Sequence, residues 1–279
     1  MANYETILYE EVDHVAWVTL NRPEVHNAFN VQMQHELKDV WRSLRTNEDV
    51  RCAVLTGAGE KAFCAGIDRN ETMGDWKTPE DVIGASATGI GGASKTPWHF
   101  DDPGDYIGPK TNDLWKPVIA AINGIACAGA FYMLGEVDII IAAEHATFFD
   151  PHVSFGMTAC FESMHMLQKM PFGEVMRIAL LGASERMTAE RAHQVGLVSE
   201  VVPAGELRGA AAWSAGEIAK SPPIAVEGTV RAVWMAQELS RMQALDAGRI
   251  LIRLGSDPAS LFEGQKTFAS GERTKPRLR

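Results

Sequence analysis

Two stretches of small residues are candidates for placing backbone N–H groups against a ligand. The stretch 122–132 passes through Asn-Gly and several alanines and glycines after the apolar, strand-like segment 117–121. The stretch 61–68 has the same character and also follows a strand-like segment. A chain that leaves a strand and enters a helix has unpaired N–H groups at the helix start. Such donors suit an oxygen that gains negative charge, so these stretches predict an oxyanion site or, alternatively, tightly packed turns that bind nothing.

The segments upstream of residue 60 predict how the first part of the chain folds. Residues 7–11 and 15–20 read as a β-hairpin, and Asn30 reads as the N-cap of a helix with one apolar face. The apolar run 52–55 reads as a short buried strand. Strand, helix and strand at this spacing predict a parallel crossover unit in an α/β fold.

Downstream segments extend this α/β body and end in helices. Residues 161–182 predict a helix broken at Pro171-Phe172-Gly173, and Thr188 predicts the cap of a short helix that ends at Gly196. A strand is predicted over 197–202, and the pattern is helical from residue 204 onward. The sequence therefore predicts an α/β body with a helical C-terminal tail.

Composition excludes several classes of protein. The 279 residues are 46% hydrophobic, which suffices for a large core, and the net charge of −10 lacks the basic footprint of a nucleic-acid-binding protein. No apolar run is long enough to predict a membrane span, and residues 1–5 do not start a signal peptide. The four cysteines form no Cys-x-x-Cys pair, which predicts reduced thiols and a cytoplasmic location.

Four motifs, in the same order along the chain, resemble those of the crotonase superfamily, the enoyl-CoA hydratase/isomerase family. The resemblance covers nearly the whole chain apart from residues 69–113, and a weaker match in the last helix extends it. The matching segments are 20–23 with Asn27-Ala28, 61–68, 116–124, 189–198 and, more weakly, 263–268.

This resemblance implies a fold, a substrate and an assembly. The fold class is α/β: a crotonase (ClpP/crotonase-like) spiral core of ββα turns over residues 1–203, followed by a helical C-terminal trimerisation region over residues 204–279. The expected partner is an acyl-CoA thioester, with coenzyme A as part of the substrate, no other cofactor and no metal. Self-association as a homotrimer or hexamer is expected, without nucleic acid or membrane.

The resemblance also implies site residues. By position, the N–H groups of Ile67 and Gly129 would form an oxyanion hole for a thioester enolate, in agreement with the reading of the two small-residue turns. The segments 24–28 and 62–67 would contact coenzyme A. The expected substrate-binding residues are Glu24, Val25, His26, Ala28, Ala62, Cys64, Ala65, Ile67 and Gly129.

The sequence departs from the family at the two catalytic glutamates. Tyr132 and His152 occupy those positions, so ordinary crotonyl-CoA hydration is not expected. A histidine titrates near neutral pH, which makes His152 a candidate acid or base with Asp150 to orient it. Tyr132 is the better hydrogen-bond donor, with an ordinary pKa near ~10. The alternatives are a turn histidine satisfied by the backbone and a tyrosine that fills an apolar helix face.

Other candidates remain open. Glu162 is a substitute acid, and with His165 it forms a single Glu-x-x-His, whereas a dicarboxylate metal site needs two copies. Glu136 either compensates for the missing carboxylate or makes a cap or salt bridge. Cys64 and Cys127 read as packed thiols. Polar groups of the long loop 69–113 could reach the substrate: His99, Asp102, Asp105 and Tyr106.

These features favour an enzyme of the enoyl-CoA hydratase/isomerase type, a lyase or isomerase that works through an enolate. Ile67 and Gly129 would bind the enolate oxygen, while His152 and Tyr132 would move protons. One alternative is hydrolysis or cleavage of a C–C bond in a β-dicarbonyl substrate. Another is an acyl-CoA-binding protein without catalytic activity.

Overall fold

The computed structural model describes residues 4–72, 78, 102–271 and 275–278. Contacts between Cα atoms divide the chain into two compact units, Met1–Glu217 and Ile218–Arg279. This division falls inside a helix, whereas the domain boundary predicted from the sequence falls after residue 203. That functional boundary stays a prediction.

Most strands of the described residues come in consecutive pairs separated by helices, and a run of helices follows at the C-terminal end. The strands are β1 (Ile7–Val12), β2 (Val15–Leu20), β3 (Cys52–Gly57), β4 (Ala62–Cys64), β5 (Val118–Ile122), β6 (Ile125–Cys127), β7 (Ile139–Ala143), β8 (Thr147–Phe149), β9 (Met187–Thr188) and β10 (Glu200–Val202). The helices are α1 (Val31–Leu44), α2 (Arg69–Thr72), α3 (Gly104–Ile107), α4 (Ala130–Glu136), α5 (Phe161–Leu167), α6 (Phe172–Leu181), α7 (Ala189–Gln194), α8 (Leu207–Ala219), α9 (Pro223–Glu238), α10 (Arg241–Leu254) and α11 (Pro258–Ser270).

The larger sheet has the described strands in the order β1-β2-β3-β5-β7-β10. β1 and β2 form the predicted antiparallel hairpin, and the remaining neighbours are parallel. β5 is buried along its whole length, with every side chain of Val118–Ile122 inside the core. Continuous apolar strands of this kind are typical of parallel sheets covered on both faces, because both faces of each strand must be buried.

The smaller sheet has the order β4-β6-β8-β9 among the described strands. β4, β6 and β8 are parallel to one another, and β9 is antiparallel to β8. Its strands are only two or three residues long, and each of the first three ends in a tight turn. This short sheet matters most for function because its parallel strands end at a common edge.

Two predicted helix caps are confirmed. The Asn30 side chain accepts a hydrogen bond from Met33 N at 3.0 Å and starts α1. The Thr188 hydroxyl accepts one from Arg191 N at 3.1 Å and starts α7. Each cap satisfies an N–H group at the helix start, which is the physical basis of the sequence signal.

Two predicted element bounds are wrong. The strand predicted over 197–202 begins only at Glu200, because Val198 N bonds to Ala192 O and closes a loop after α7. The helix over 161–182 is interrupted at residues 168–171, slightly before the predicted break, because Pro171 serves as the N-cap of α6. Neither difference changes the fold class.

The second unit consists of helices. α10 starts with a capping box in which the Ser240 side chain accepts from Gln243 N and the Gln243 side chain accepts from Ser240 N. α9 and α10 approach closely at Gly228 and Gly255, where a Cβ added at Gly228 would lie 2.9 Å from Gly255 Cα. Across the described residues, every helix is too short or too polar to cross a membrane.

Candidate active site

Three strand ends meet at one edge of the smaller sheet. β6 lies between β4 and β8, with Cys127 paired to Phe149. Parallel strands end at the same edge, so the turns that follow β4, β6 and β8 are neighbours. These turns contain Ile67, Gly129 and His152, respectively. The topology therefore brings together three of the four catalytic residues predicted from the sequence.

The backbone around Ile67 is fixed by a bridge to Phe29. Phe29 N donates to Gly66 O, and Asp68 N donates to Phe29 O, both at 2.9 Å. In such a bridge, the residue between the two bonded positions directs its own N–H away from the bridging strand. The Ile67 N–H therefore points away from Phe29.

The backbone at Gly129 reverses direction just before α4. Ala128 has a φ of +49°, and its N–H donates to Phe149 O at 3.2 Å. Gly129 is the N-cap of α4, so its N–H lies at the positive end of that short helix. Neither Gly129 N nor Ile67 N has an acceptor among the described residues.

The two turns pack so closely that their glycines cannot be replaced without a clash. A Cβ added at Gly66 would lie 3.1 Å from Gly129 N and 3.0 Å from Ala128 Cβ, and Gly66 also has a φ of +88°. A Cβ added at Gly129 would lie 2.6 Å from Phe29 Cζ. The small residues that suggested an oxyanion site are thus required by the close approach of these two turns.

The loop before α1 is tied to the same edge. The Arg22 guanidinium donates to an Asp68 carboxylate oxygen and to Ala28 O, both at 2.8 Å. The Asn27 side chain donates to Ala62 O at 2.8 Å, so it joins the loop to β4. The Arg22–Asp68 pair is largely buried, and it anchors the residue that follows Ile67.

The predicted substrate-binding residues differ in exposure. At the buried positions a ligand would meet backbone atoms, and only the exposed and half-buried positions offer side chains. Glu24 and His26 are exposed; Val25, Ala65 and Ile67 are half-buried; Ala28, Ala62, Cys64 and Gly129 are buried. Their roles stay predictions.

His152 is bonded to a buried carboxylate. Its Nδ1 is hydrogen-bonded to Asp150 Oδ1, which also accepts from His152 N at 3.1 Å. Asp150 is 1% exposed, and its Oδ2 has no hydrogen-bond partner among the described residues. A carboxylate on Nδ1 fixes the ring orientation and leaves Nε2 as the atom available for chemistry.

Glu162, on α5, faces the other nitrogen of this imidazole. Glu162 Oε1 lies 3.5 Å from His152 Nε2, and the glutamate is 5% exposed. The separation is too long for a strong direct hydrogen bond. Asp150, half-buried His152 and Glu162 thus form one cluster, in which one potential ligand atom of each side chain lies within 4.8 Å of the other two.

The charges in this cluster shift the pKa of each member. Burial lowers the pKa of His152, but the Asp150 hydrogen bond and the charges of Glu162 and Asp150 outweigh it and raise the pKa. Burial raises the pKa of Glu162, and the charge of His152 opposes that effect. The charges of His152 and Glu162 thus act on each other: the Glu162 charge raises the pKa of His152, and the His152 charge lowers that of Glu162 against the effect of burial.

Tyr132 reaches this cluster from α4. Its hydroxyl donates to Asp102 Oδ2 at 3.1 Å. Its ring packs against Phe161 and edge-on against His165, with ring centroids 6.4 and 5.6 Å away. Burial, followed by the charges of Glu162 and Asp102, raises the pKa of Tyr132 well above its ordinary value. The phenol stays protonated and acts as a hydrogen-bond donor.

Several other residues that the sequence suggested have structural contacts and do not belong to the cluster around His152. The Glu136 carboxylate accepts hydrogen bonds from Thr111 N at 2.8 Å and from the Thr111 hydroxyl, which is a structural anchor. Burial raises the pKa of Cys64 and of Cys127 to about 12, so both are unreactive thiols. Tyr106 faces α1, where its ring lies 5.4 Å from His35.

The sequence leaves Glu162 and Asp102 among several open candidates and does not predict their contacts. In the structure, Glu162 Oε1 lies 3.5 Å from His152 Nε2, and Asp102 accepts from Tyr132. The available signal was a charged residue within the largely apolar segment 161–167. Asp102 and Asp105 lie at the end of the long loop 69–113; His99 and residues 73–77 and 79–101 lie outside the described residues, as does any contact they make.

Comparisons with known proteins identify the family. The family model "Enoyl-CoA hydratase/isomerase" matches residues 10–88 and 109–277. The (E)-benzylidenesuccinyl-CoA hydratase of Thauera aromatica is 33% identical over 274 residues, which is 98% of each chain. The 1,2-epoxyphenylacetyl-CoA isomerase of Escherichia coli is 32% identical over 266 residues, which is 95% of each chain.

Solved structures agree with these sequence matches. An enoyl-CoA hydratase/isomerase from Mycobacterium paratuberculosis superposes with a TM-score of 0.83 and 31% identity, covering 99% of this chain and all of the other. An enoyl-CoA hydratase from Bacillus anthracis gives a TM-score of 0.82 and 27% identity over 96% of this chain and 97% of the other. The predicted crotonase fold is confirmed, and the chain belongs to the enoyl-CoA hydratase/isomerase family of the crotonase superfamily.

Proposed function

We propose that this protein adds water to, or eliminates it from, an α,β-unsaturated acyl-CoA thioester through an enolate intermediate. The N–H groups of Ile67 and Gly129 bind the thioester oxygen. The observation that carries the proposal is the pairing of His152 Nε2 with the buried Glu162 carboxylate beside the amide turns. This pair replaces the two glutamates whose positions are occupied by Tyr132 and His152.

In the hydration direction, the Glu162 carboxylate takes a proton from water as the water oxygen bonds to Cβ. The electron pair of the Cα–Cβ double bond moves into the thioester, whose oxygen becomes an enolate held by the two amides. The His152 imidazolium then delivers its proton to Cα. Preorganised donors of this kind contribute roughly 3–4 kcal/mol each to transition-state stabilisation.

The spacing of the pair suits a shared water. With His152 Nε2 and Glu162 Oε1 3.5 Å apart, one water oxygen can lie about 2.8 Å from both. Asp150 supports the imidazolium form through Nδ1. A catalytic base and acid that contact one water satisfy the geometric requirement for hydration.

The acyl group we propose is aryl-substituted. Phe155 and Phe161 lie on the two elements that carry His152 and Glu162, and they are 59% and 40% exposed. Exposed aromatic rings beside the site suit a flat aromatic acyl group, since ring pairs add binding energy beyond their buried area. Two of the relatives described above are named for acyl-CoA compounds with an aromatic ring.

The test is a substrate screen with matched variants. Purified protein is incubated with crotonyl-CoA and with aryl-substituted 2-enoyl-CoA thioesters, and loss of the enoyl absorbance is followed. We expect turnover of an aryl substrate, and about a 10²–10⁴-fold loss of kcat in Glu162→Gln and in His152→Ala. Glu190→Gln, an exposed glutamate on α7, is the control that keeps full activity. Turnover that survives both site substitutions contradicts the proposal.

A second candidate rests on the Asp150–His152 pair. A histidine backed by a carboxylate can also activate water for attack on a carbonyl, which would cleave a β-dicarbonyl compound. Adding β-diketones to the screen separates the two reactions, because C–C cleavage releases a carboxylic acid and hydration does not. Tight binding of acyl-CoA without turnover of any substrate would instead favour a non-catalytic acyl-CoA-binding protein.

The remaining expectations belong to the same proposal. Coenzyme A is part of the substrate and no further cofactor takes part. The protein is expected to act in the cytoplasm as a homotrimer or hexamer, as the family resemblance implies.

A further inference from the structure

The Tyr132 hydroxyl lies between two carboxylates. It donates to Asp102 Oδ2 at 3.1 Å. Burial and then the charges of Glu162 and Asp102 raise its pKa, so both carboxylates act on the hydroxyl. A phenol has a single proton to donate. The hydroxyl can therefore donate to only one carboxylate at a time, and the observed bond goes to Asp102.

Asp102 is well placed to accept that proton. Its Oδ1 accepts a hydrogen bond from Gly104 N at 2.8 Å, and its N–H donates to Asp105 Oδ2 at 3.2 Å. A Cβ added at Gly104 would lie 2.8 Å both from Asp102 Oδ1 and from Tyr132 Cδ1. Only glycine at this position lets the turn that carries Asp102 approach the tyrosine ring so closely.

The turn is also anchored from behind. The indole N–H of Trp41, on α1, donates to Ile107 O at 2.8 Å. The Asn112 side chain donates to Tyr106 O at 3.0 Å and to Gly108 O at 2.8 Å. These bonds fix α3 against the core, so the position of Asp102 beside Tyr132 is part of the folded framework.

We propose that Asp102 is a positioning residue. It accepts the hydrogen bond of the Tyr132 hydroxyl, so that the hydroxyl does not donate to Glu162, and Glu162 thereby keeps its strength as a base. This inference rests on the role proposed above for Glu162. Without Asp102, the freed hydroxyl turns to the Glu162 carboxylate and stabilises its ionised form. A carboxylate stabilised in this way takes a proton from water less readily.

The charged surroundings of Glu162 define what else contributes to its titration. From the turn after β8 it faces His152 and Asp150, and from α4 and the turn before α3 it faces Tyr132 and Asp102. His165, on the same helix, acts on Asp102 and not directly on Glu162. Arg69 acts on His152. Among these groups, Asp102 is the one that accepts the Tyr132 hydrogen bond and so competes with Glu162 for it.

The test measures the Glu162 carboxyl directly by ¹³C NMR on glutamate-labelled protein, with the resonance assigned by its loss in Glu162→Gln. We expect Asp102→Asn to lower the pKa of Glu162 by about one unit, because a neutral amide oxygen competes poorly with the ionised Glu162 carboxylate for the Tyr132 hydroxyl. The acidic limb of the pH profile of kcat/KM moves to lower pH by the same amount, because Glu162 then stays ionised at lower pH. Adding Tyr132→Phe to Asp102→Asn reverses part of the shift, since the donating hydroxyl is then gone.

Three further variants decide the outcome. Asp105→Asn lies on the same turn without contacting Tyr132 and leaves the pKa unchanged, while Asp102→Glu keeps a carboxylate and retains most of the wild-type value. Tyr132→Phe alone does not raise the pKa of Glu162. A rise there shows that the hydroxyl already donates to Glu162 and overturns the inference, as does an unchanged pKa in Asp102→Asn. The NMR titration needs no turnover. If the protein is inactive but shows the expected pKa shift, the proposed reaction is wrong and the inference about Asp102 still holds.

Discussion

The two amides of the site and the side chains that accompany them are fixed in different ways. The N–H groups of Ile67 and Gly129 are placed by backbone pairing at the ends of β4 and β6, and by glycines that permit close approach. His152, Glu162 and Tyr132 are placed by individual hydrogen bonds and charges between side chains. We call these the backbone half and the side-chain half of the site.

The two halves differ in how far they depend on the identity of side chains. The backbone half depends on conformation and on small residues, so side chains such as that of Ile67 can change without loss of the donor. The side-chain half depends on residue identity, and one substitution changes which group gives or takes a proton. In the proposed function, binding of the enolate oxygen therefore depends on the fold, whereas the choice of reaction depends on a few side chains.

The largest expected effect is in the backbone half. Gly129→Ala places a Cβ where Phe29 Cζ lies 2.6 Å away, so the turn must move and the Gly129 N–H must shift with it. We expect kcat/KM to fall about 10²–10³-fold, the effect of losing one oxyanion donor. Gly173→Ala, on α6 with open space around it, is the control and keeps full activity. Activity within a few-fold of wild type in Gly129→Ala would show that this turn does not position the donor.

The next prediction concerns Arg22, which anchors the backbone half through Asp68 but is not proposed to take part in the reaction. Arg22→Met leaves the Asp68 carboxylate buried without its cation, and breaking such a pair costs about 3 kcal/mol. We expect a lower free energy of unfolding in urea and a higher KM, with less change in kcat. Arg191→Met breaks the more exposed pair with Glu174 and should cost clearly less stability. Equal losses in the two variants would contradict the assigned anchor role of Arg22.

The same division explains how much the sequence could predict. The caps at Asn30 and Thr188 and the turns around Gly129 depend on residues close together in the chain, and local chemistry identifies them. The strand over 197–202 was predicted too long because its apolar residues satisfy the strand pattern, while a bond from Val198 N to Ala192 O closes a loop. Local patterns identify elements well and their ends less well.

The side-chain half could be predicted only in part. His152 and Asp150 are two residues apart, so their contact follows from a short turn. Glu162 joins them because α5 packs against α4, and Asp102 joins because Gly104 lets its turn touch Tyr132. A charged residue in the largely apolar segment 161–167 marks Glu162 as unusual, but it does not identify the partner that Glu162 contacts. Tertiary packing alone brings these carboxylates to the site.

A pH profile tests the charges of the side-chain half. Asp150→Asn removes the negative charge that raises the pKa of His152, and it replaces a charged hydrogen-bond acceptor by a weaker, neutral one. In the proposed reaction, His152 must be protonated, so activity is lost as pH rises through its pKa, and a lower pKa moves the basic limb down. We expect a shift of about one pH unit in kcat/KM, measured between pH 5 and 10. A basic limb that stays in place would assign it to another group and remove His152 from the acid role.

The smallest expected effect concerns substrate preference. It tests whether a side chain near the site selects the acyl group. Phe161 is exposed on α5 and packs against the Tyr132 ring. Phe161→Leu removes one aromatic contact, worth about 1 kcal/mol, so kcat/KM for an aryl-substituted enoyl-CoA should fall about fivefold relative to crotonyl-CoA. Phe172→Leu, on the next helix and 67% exposed, is the control and leaves the ratio of the two substrates unchanged. An equal loss for both substrates would mean that Phe161 supports Tyr132 and does not select the acyl group.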